Sequence, residues 1–129
     1  VPLVHMSNSS DPVTMVDSNV LAVVRAEIEK GGYMMAQSSP HGGQASNEIV
    51  LAFSKQDRPD KPLEERFARA EAWIFLSFQP STVQVSMRAR NEAFGPEVLN
   101  KRSVDAIRDW LSGMMRELEK RKARERGAE

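Results

Sequence analysis

The segment 71–90, EAWIFLSFQPSTVQVSMRAR, constrains the fold more than any other part of this chain. Apolar side chains recur at every second position on both sides of a short polar break. Successive side chains of a β-strand point to opposite faces of a sheet, so this alternation is typical of a strand with one buried face. The break at 79–82 contains a proline, which favours a four-residue turn over a mirror-image two-residue turn. We therefore predict a β-hairpin over residues 71–90.

Pairing the two arms outward from this turn sorts the side chains onto two distinct faces. The predicted inner pairs are apolar: Phe78 with Val83, Leu76 with Val85, Ile74 with Met87 and Ala72 with Ala89. On the outer face the predicted pairs are Phe75 with Ser86, Trp73 with Arg88 as a cation–π pair, and Glu71 with Arg90 as an ion pair. A slip of one residue would mix the two faces, so the pattern specifies the register strongly.

The remaining sequence predicts two helices and two more strands. The first helix is expected from about Pro12 to Lys30, with Asp11 or Thr14 near its start and Gly31-Gly32 at its end, and the last from about Val104 to Arg124. Strands are expected at Tyr33–Gln37 and Glu48–Lys55. Residues 63–69 fit either a helical turn or a lead into the hairpin. Asn91–Arg102, which contains Gly95-Pro96, is predicted to be irregular.

Together these elements predict an α+β fold, a four-stranded antiparallel meander flanked by an N-terminal and a C-terminal helix (α-β-β-β-β-α). The single domain is expected over residues 11–119. We interpret residues 1–10 as a flexible leader, with residues 1–5 preceding a native start at Met6, and residues 120–129 as a charged, fraying tail. Gly113, inside the last helix, is predicted to permit close approach of another backbone.

Composition excludes several kinds of chemistry. Eighteen basic and 18 acidic residues give zero net charge, so no global field attracts nucleic acid or anionic membranes. The chain has no cysteine, which excludes disulfides, thiol catalysis, iron–sulfur clusters and cysteine-based zinc sites. No apolar run approaches the roughly 20 residues of a membrane span, and no secretory signal is recognisable. We expect a cytoplasmic protein without a cofactor, a metal or a membrane partner.

The outer face of the hairpin is the main candidate for function. It combines Trp73 and Phe75 with Arg88 and Arg90, where a solvated sheet face is normally polar. Apolar area bordered by arginine is typical of interface cores, although a helix on each side of the sheet would bury both faces. We predict a non-catalytic protein-interaction module of the adaptor, chaperone or inhibitor type, homodimeric through this aromatic and arginine face. Trp110 and Met114 on the last helix form a second candidate surface.

Two further segments suggest alternatives. The polar loop at 38–47, with His41, Gln44 and Asn47, is a candidate binding loop, but it lacks the lysine and following helix of a phosphate loop. Neither it nor the nearby acids show the spacing of a catalytic pair, so we predict no catalytic residue. The stretch 116–126, RELEKRKARER, contains six basic and three acidic residues. With the arginines of the sheet face it would suit a nucleic-acid-binding protein, the alternative function.

Overall fold

An antiparallel sheet forms the centre of the structure, and its five strands in the described part of the chain lie side by side in sequence order. This computed structural model describes residues 15–37, 47–56, 60–90 and 92–127. In chain order the elements are α1 (Met15–Lys30), β1 (Met34–Gln37), β2 (Glu48–Ser54), α2 (Leu63–Ala68), β3 (Ala72–Phe78), β4 (Thr82–Ala89), β5 (Glu92–Asn100) and α3 (Val104–Gly127). The α+β class, the antiparallel meander and the two flanking helices are confirmed, with five strands instead of four.

The predicted hairpin is present as β3 and β4. Its paired residues run from Phe78 opposite Val83 to Trp73 opposite Arg88, which is the register that the alternation predicts. A feature outside the pattern is the short helix α2, which precedes the hairpin and resolves the ambiguity at residues 63–69.

The ion pair predicted between Glu71 and Arg90 is wrong. Arg90 has a φ of 54° at the turn into β5, and its guanidinium lies 3.6 Å from the Glu125 carboxylate of α3. The Glu71 carboxylate instead accepts a hydrogen bond of 2.6 Å from the Lys122 ammonium. The cation–π contacts of the described residues also lie elsewhere, on the rings of Tyr33 and Phe94 and not at Trp73. Side chains of α3 therefore bind the charges that the hairpin was expected to pair internally.

The irregular connection predicted over residues 91–102 is also wrong, because most of it forms β5. This strand pairs with β4 from Glu92 opposite Ala89 to Asn100 opposite Thr82, with a register shift between Val85 and Met87. Proline cannot donate to a β-ladder, but β5 lies at the edge of the sheet, where one side of the strand needs no partner. The Gly-Pro pair therefore interrupts the pattern in the sequence without preventing the strand.

The two long helices pack on one face of the sheet. The inner residues of the hairpin share one buried cluster with the inner residues of β2 and with the apolar stripes of both helices. The largest members with almost no exposure are Val20, Val24, Ile28, Leu51, Phe53, Ile74, Leu76, Val83, Val85, Met87, Ile107 and Leu111. We call the opposite side, which carries the other alternate residues of β2 to β5, the outer face.

Two polar features connect the helices to the rest of the fold. Lys101, between β5 and α3, donates a hydrogen bond of 2.8 Å to the Asp17 carboxylate in the first turn of α1, and both side chains are buried. Ser112 donates to the Glu27 carboxylate across the contact between α3 and α1.

The role predicted for Gly113 is wrong, since a Cβ at that position would have no neighbour within 4 Å. The predicted leader and the start of the first helix before Met15 lie outside the described residues.

Candidate interaction surface

Three rows of side chains cross the outer face from β2, two of which reach β5. The central row runs from Val50 through Phe75 to Ser86. The row nearer the β3–β4 turn contains Glu48, Ser77, Gln84 and Val98, and the row on the other side contains Ala52, Trp73, Arg88 and Ala93. The orientation of β2 therefore places Val50, and not the larger side chains of that strand, beside the aromatic residues of the hairpin.

The short helix α2 covers only one end of the outer face. The indole N–H of Trp73 donates a hydrogen bond of 2.9 Å to the backbone carbonyl of Phe67, the fifth residue of α2. Trp73 is consequently half-buried, and Ala52 beside it is almost fully buried. The indole that was predicted to anchor a partner mainly attaches α2 to the sheet.

Phe75 occupies the centre of the part that no described helix covers. Its side chain is 38% exposed, next to the half-buried Val50. Around this pair lies a shallow depression of about 130 Å³, to which Ser77, Gln84 and Ser86 contribute. Small-molecule pockets usually measure about 300–1,000 Å³, so the depression is better suited to a side chain of another protein.

The apolar surface continues to the edge of the sheet at β5. Val98 follows Gln84 in the same row and is 61% exposed. Sequence reasoning missed Val98 because the strand that positions it was not predicted. The available signal was the apolar pair Val98-Leu99, in which Leu99 packs against the core while Val98 faces outward.

Charged residues occupy two opposite corners around Phe75. Glu48 lies on β2 opposite Ser77, and Arg88 lies on β4 opposite Trp73. Ser77 and Trp73 are each two residues from Phe75 on β3, in opposite directions. The carboxylate and the guanidinium are therefore placed almost symmetrically about the exposed phenyl ring.

The other predicted site residues are not brought to this face. Arg90 turns toward Glu125, while Trp110 and Met114 are half-buried on α3 and pack against the core. Asn47 has a structural role, because its side-chain amide donates to the carbonyl of Phe78 and its own carbonyl accepts from the Phe78 N–H. His41 and Gln44 of the predicted binding loop lie outside the described residues.

Some of the cations expected to form a nucleic-acid face are paired with carboxylates. Lys101 is buried against Asp17, and Arg121 of the basic helix end contacts Glu92 of β5 at 2.7 Å. These ion pairs reduce the charge that Lys101 and Arg121 can offer to phosphates, whereas Arg88 remains exposed on the outer face.

Glu71 belongs to one of these pairs and is the described carboxylate with a displaced pKa. Burial alone would raise its pKa. The hydrogen bonds from the Lys122 ammonium and the Lys55 backbone N–H, together with the two lysine charges, outweigh burial and hold the pKa of Glu71 below its ordinary value. Glu71 is therefore ionised at neutral pH and fixes the end of α3 to the sheet.

Residues 15–37, 47–56, 60–90 and 92–127 contain no group of three side chains suited to hold a metal ion. Within the same residues, no helix has the length and apolar character needed to cross a membrane. No family model, curated protein or solved structure matches this chain.

Proposed function

We propose that the protein is a non-catalytic interaction module that forms a homodimer through the outer face of its sheet. The observation that carries the proposal is the exposure of Phe75 at the centre of that face, beside Val50 and in the same sheet as the exposed Val98. Contact with a second protein surface would remove this apolar area from water, which stabilises the complex by about 25 cal/mol for each Å² that is buried. Ser77, Gln84 and Ser86, the polar neighbours of Phe75, allow the face to be solvated when no partner is bound.

The two charged corners support a second copy of this chain as the partner. Consider a twofold axis that lies between two facing sheets, passes over Phe75 and is perpendicular to the line from Glu48 to Arg88. Rotation about this axis places Phe75 against its own copy and brings each Glu48 opposite the Arg88 of the other chain. Twofold pairs of this kind are the commonest homo-oligomers.

The same axis determines how the two sheets would cross. A strand separation of about 4.8 Å and a rise of about 3.3 Å per residue give a crossing angle of about 70° between strands of the two chains. This angle lies nearer to the orthogonal class of sheet packing than to the aligned class.

The patch measures roughly 20 by 20 Å, which is less area than the roughly 800 Å² per partner of a standard interface. We therefore expect a dissociation constant in the micromolar range.

Sedimentation velocity over about 1–200 µM protein tests the proposal, because that range spans the expected dissociation constant. The wild-type chain should shift from monomer to dimer across this range, and Phe75→Asp should remain monomeric. Met15→Asp is the matched control, since Met15 is 78% exposed on α1, which packs on the other side of the sheet. A wild-type chain that stays monomeric, or a Phe75→Asp variant that still dimerises, would contradict the proposal.

A charge exchange tests the geometry of the pair separately. Glu48→Arg and Arg88→Glu should each weaken dimerisation by placing like charges opposite each other. The double variant Glu48→Arg/Arg88→Glu should restore the affinity, because the twofold axis again brings opposite charges together. Failure of the double variant to recover would exclude this twofold arrangement.

We further propose that the module belongs to the adaptor, chaperone or inhibitor class, acts by binding another protein, and is cytoplasmic. Affinity purification from the native cell tests this part. The expected result is a defined protein partner that the wild-type chain retains and that the Phe75→Asp variant loses or binds more weakly. Recovery of nucleic acid in place of protein would favour the alternative function.

A further inference from the structure

A second cavity, of about 580 Å³, lies away from Phe75, where β2 ends, α2 begins and the last turns of α3 pass the sheet. Its volume lies within the range of small-molecule binding sites, about 300–1,000 Å³. The wall combines Lys55 after β2, the cations around α2 and Lys122 of α3 with a smaller number of carboxylates. Among the residues that the structure describes, five basic and three acidic ones line it.

The carboxylates on the α3 side of this cavity are already matched by lysines. Lys122 donates to Glu71 at 2.6 Å, and the Lys55 ammonium lies 3.8 Å from the Glu119 carboxylate. The two ammonium groups also lie 4.9 and 5.0 Å from the ring centre of the buried Tyr33. The two lysines and the two glutamates on this side of the cavity therefore balance each other in charge.

On the α2 side of the cavity, basic residues outnumber acidic ones among the described lining residues. Lys61 precedes α2, Arg66 lies within it and Arg69 follows it, whereas Glu65 is the one acidic residue that this segment contributes to the lining. Lys61 and Arg69 form no ion pair with any residue that the structure describes. Their charges are available to a ligand that enters the cavity.

We propose that this cavity binds a small molecule that carries phosphate groups. Guanidinium groups present parallel N–H donors that match phosphate oxygens, and ammonium groups add a compact positive charge. Arg69 supplies such a guanidinium directly after α2, and Lys61 supplies such an ammonium shortly before it. The volume leaves room for a diphosphate or a nucleotide. This proposal does not depend on the homodimer, because the cavity does not include Phe75 or its neighbours.

Isothermal titration of the full chain with inorganic pyrophosphate, at an ionic strength of about 20 mM to limit screening, tests the proposal. Wild-type protein should bind, and the Lys61→Gln/Arg69→Gln variant should bind at least about tenfold more weakly, a loss of about 1.4 kcal/mol. The matched control is Arg102→Gln/Lys120→Gln, which removes the same charge from two exposed residues outside the cavity. The control should change the affinity less than about twofold, because its charges are screened.

Absence of pyrophosphate binding by the wild-type chain would overturn the proposal. Equal weakening in both double variants would also overturn it, since the effect would then reflect net charge alone. Binding of citrate, which carries no phosphate, with the same affinity as pyrophosphate would overturn it as well. ADP distinguishes two sources of the phosphate group. Tighter binding of ADP than of pyrophosphate would identify a nucleotide, and equal binding would identify the phosphate group alone; both results support a phosphate site. Sedimentation of the Lys61→Gln/Arg69→Gln variant should match that of wild type, which separates this test from that of the homodimer.

Discussion

Replacement of Lys101 by methionine should destabilise the fold by about 3–5 kcal/mol, the usual cost of breaking a buried ion pair by removing one partner. The Lys101 and Asp17 side chains are 8% and 4% exposed, and their charged atoms lie 2.8 Å apart. The substitution keeps most of the apolar side-chain volume but leaves the Asp17 carboxylate buried without its cation. Since domains are typically stable by 5–15 kcal/mol, this loss would be a large fraction of the total.

Urea denaturation followed by circular dichroism, at one fixed protein concentration, measures this loss. The midpoint should fall by about 2 M, given slopes of about 1–3 kcal/mol per M for domains of this size. Arg102→Met is the control, because Arg102 is the next residue and is exposed. A loss of less than about 1 kcal/mol in Lys101→Met would refute the reasoning, since that is the value of a solvated surface pair.

The double variant Asp17→Leu/Lys101→Met separates the ion pair from the packing around it. Removing both charges eliminates the buried carboxylate that has lost its lysine, so most of the stability should return. A deficit of about 0.3–1 kcal/mol should remain, because Asp17 lies in the first turn of α1 and interacts favourably with the helix dipole. If the double variant were as unstable as Lys101→Met, the loss would come from packing and not from the buried charge.

Three further predictions concern stability. The folded-state pKa of Glu71 lies below 4.5, so its ionised form stabilises the fold above that pH, and the contribution is lost as the pH falls toward the lowered value. Glu71→Gln should therefore flatten the decline in unfolding free energy that urea titrations measure between about pH 5 and 3. An unchanged decline would contradict this prediction. Gly113→Ala should raise the unfolding free energy by about 1 kcal/mol, detectable as a higher melting temperature, since nothing lies within 4 Å of the new Cβ; a lower melting temperature would indicate that the glycine is required. Gly95→Ala should lower the unfolding free energy, measured in urea, by about 1–3 kcal/mol, because the φ of Gly95 is +91° and the new Cβ would lie 3.0 Å from the Val85 carbonyl oxygen. An unchanged unfolding free energy would mean that the backbone of β5 relaxes at this position.

The hairpin was predictable because its local pattern and its tertiary environment agree. Strict alternation over 72–78 and 83–89 identifies the strands, the proline-containing turn between them sets the register, and the inner residues are buried as that register requires. The two long helices were predictable for the same reason, since their apolar stripes enter the same buried cluster.

The rest depends on contacts that no local pattern contains. The Gly95-Pro96 pair is normally a sign of irregular structure, and only the position of β5 at the sheet edge makes it compatible with a strand. Glu71 could pair with Arg90 or with Lys122, and the path of α3 decides in favour of Lys122. The cavity beside α2 brings together β2, α2 and α3, so neither its volume nor its charge balance appears in the sequence.

The sizes of the elements explain why a partner is expected at the outer face. Helix α2 has six residues, which correspond to about 9 Å, whereas five strands extend across about 19 Å between the outermost chains. A helix of that length can cover the region of Trp73 but cannot also reach Phe75 and Val98, which remain exposed. The long helices cannot cover them either, because both pack on the inner side. Within the described part of the chain, the centre of the outer face therefore stays exposed, and this exposed area is what the proposed homodimer would bury.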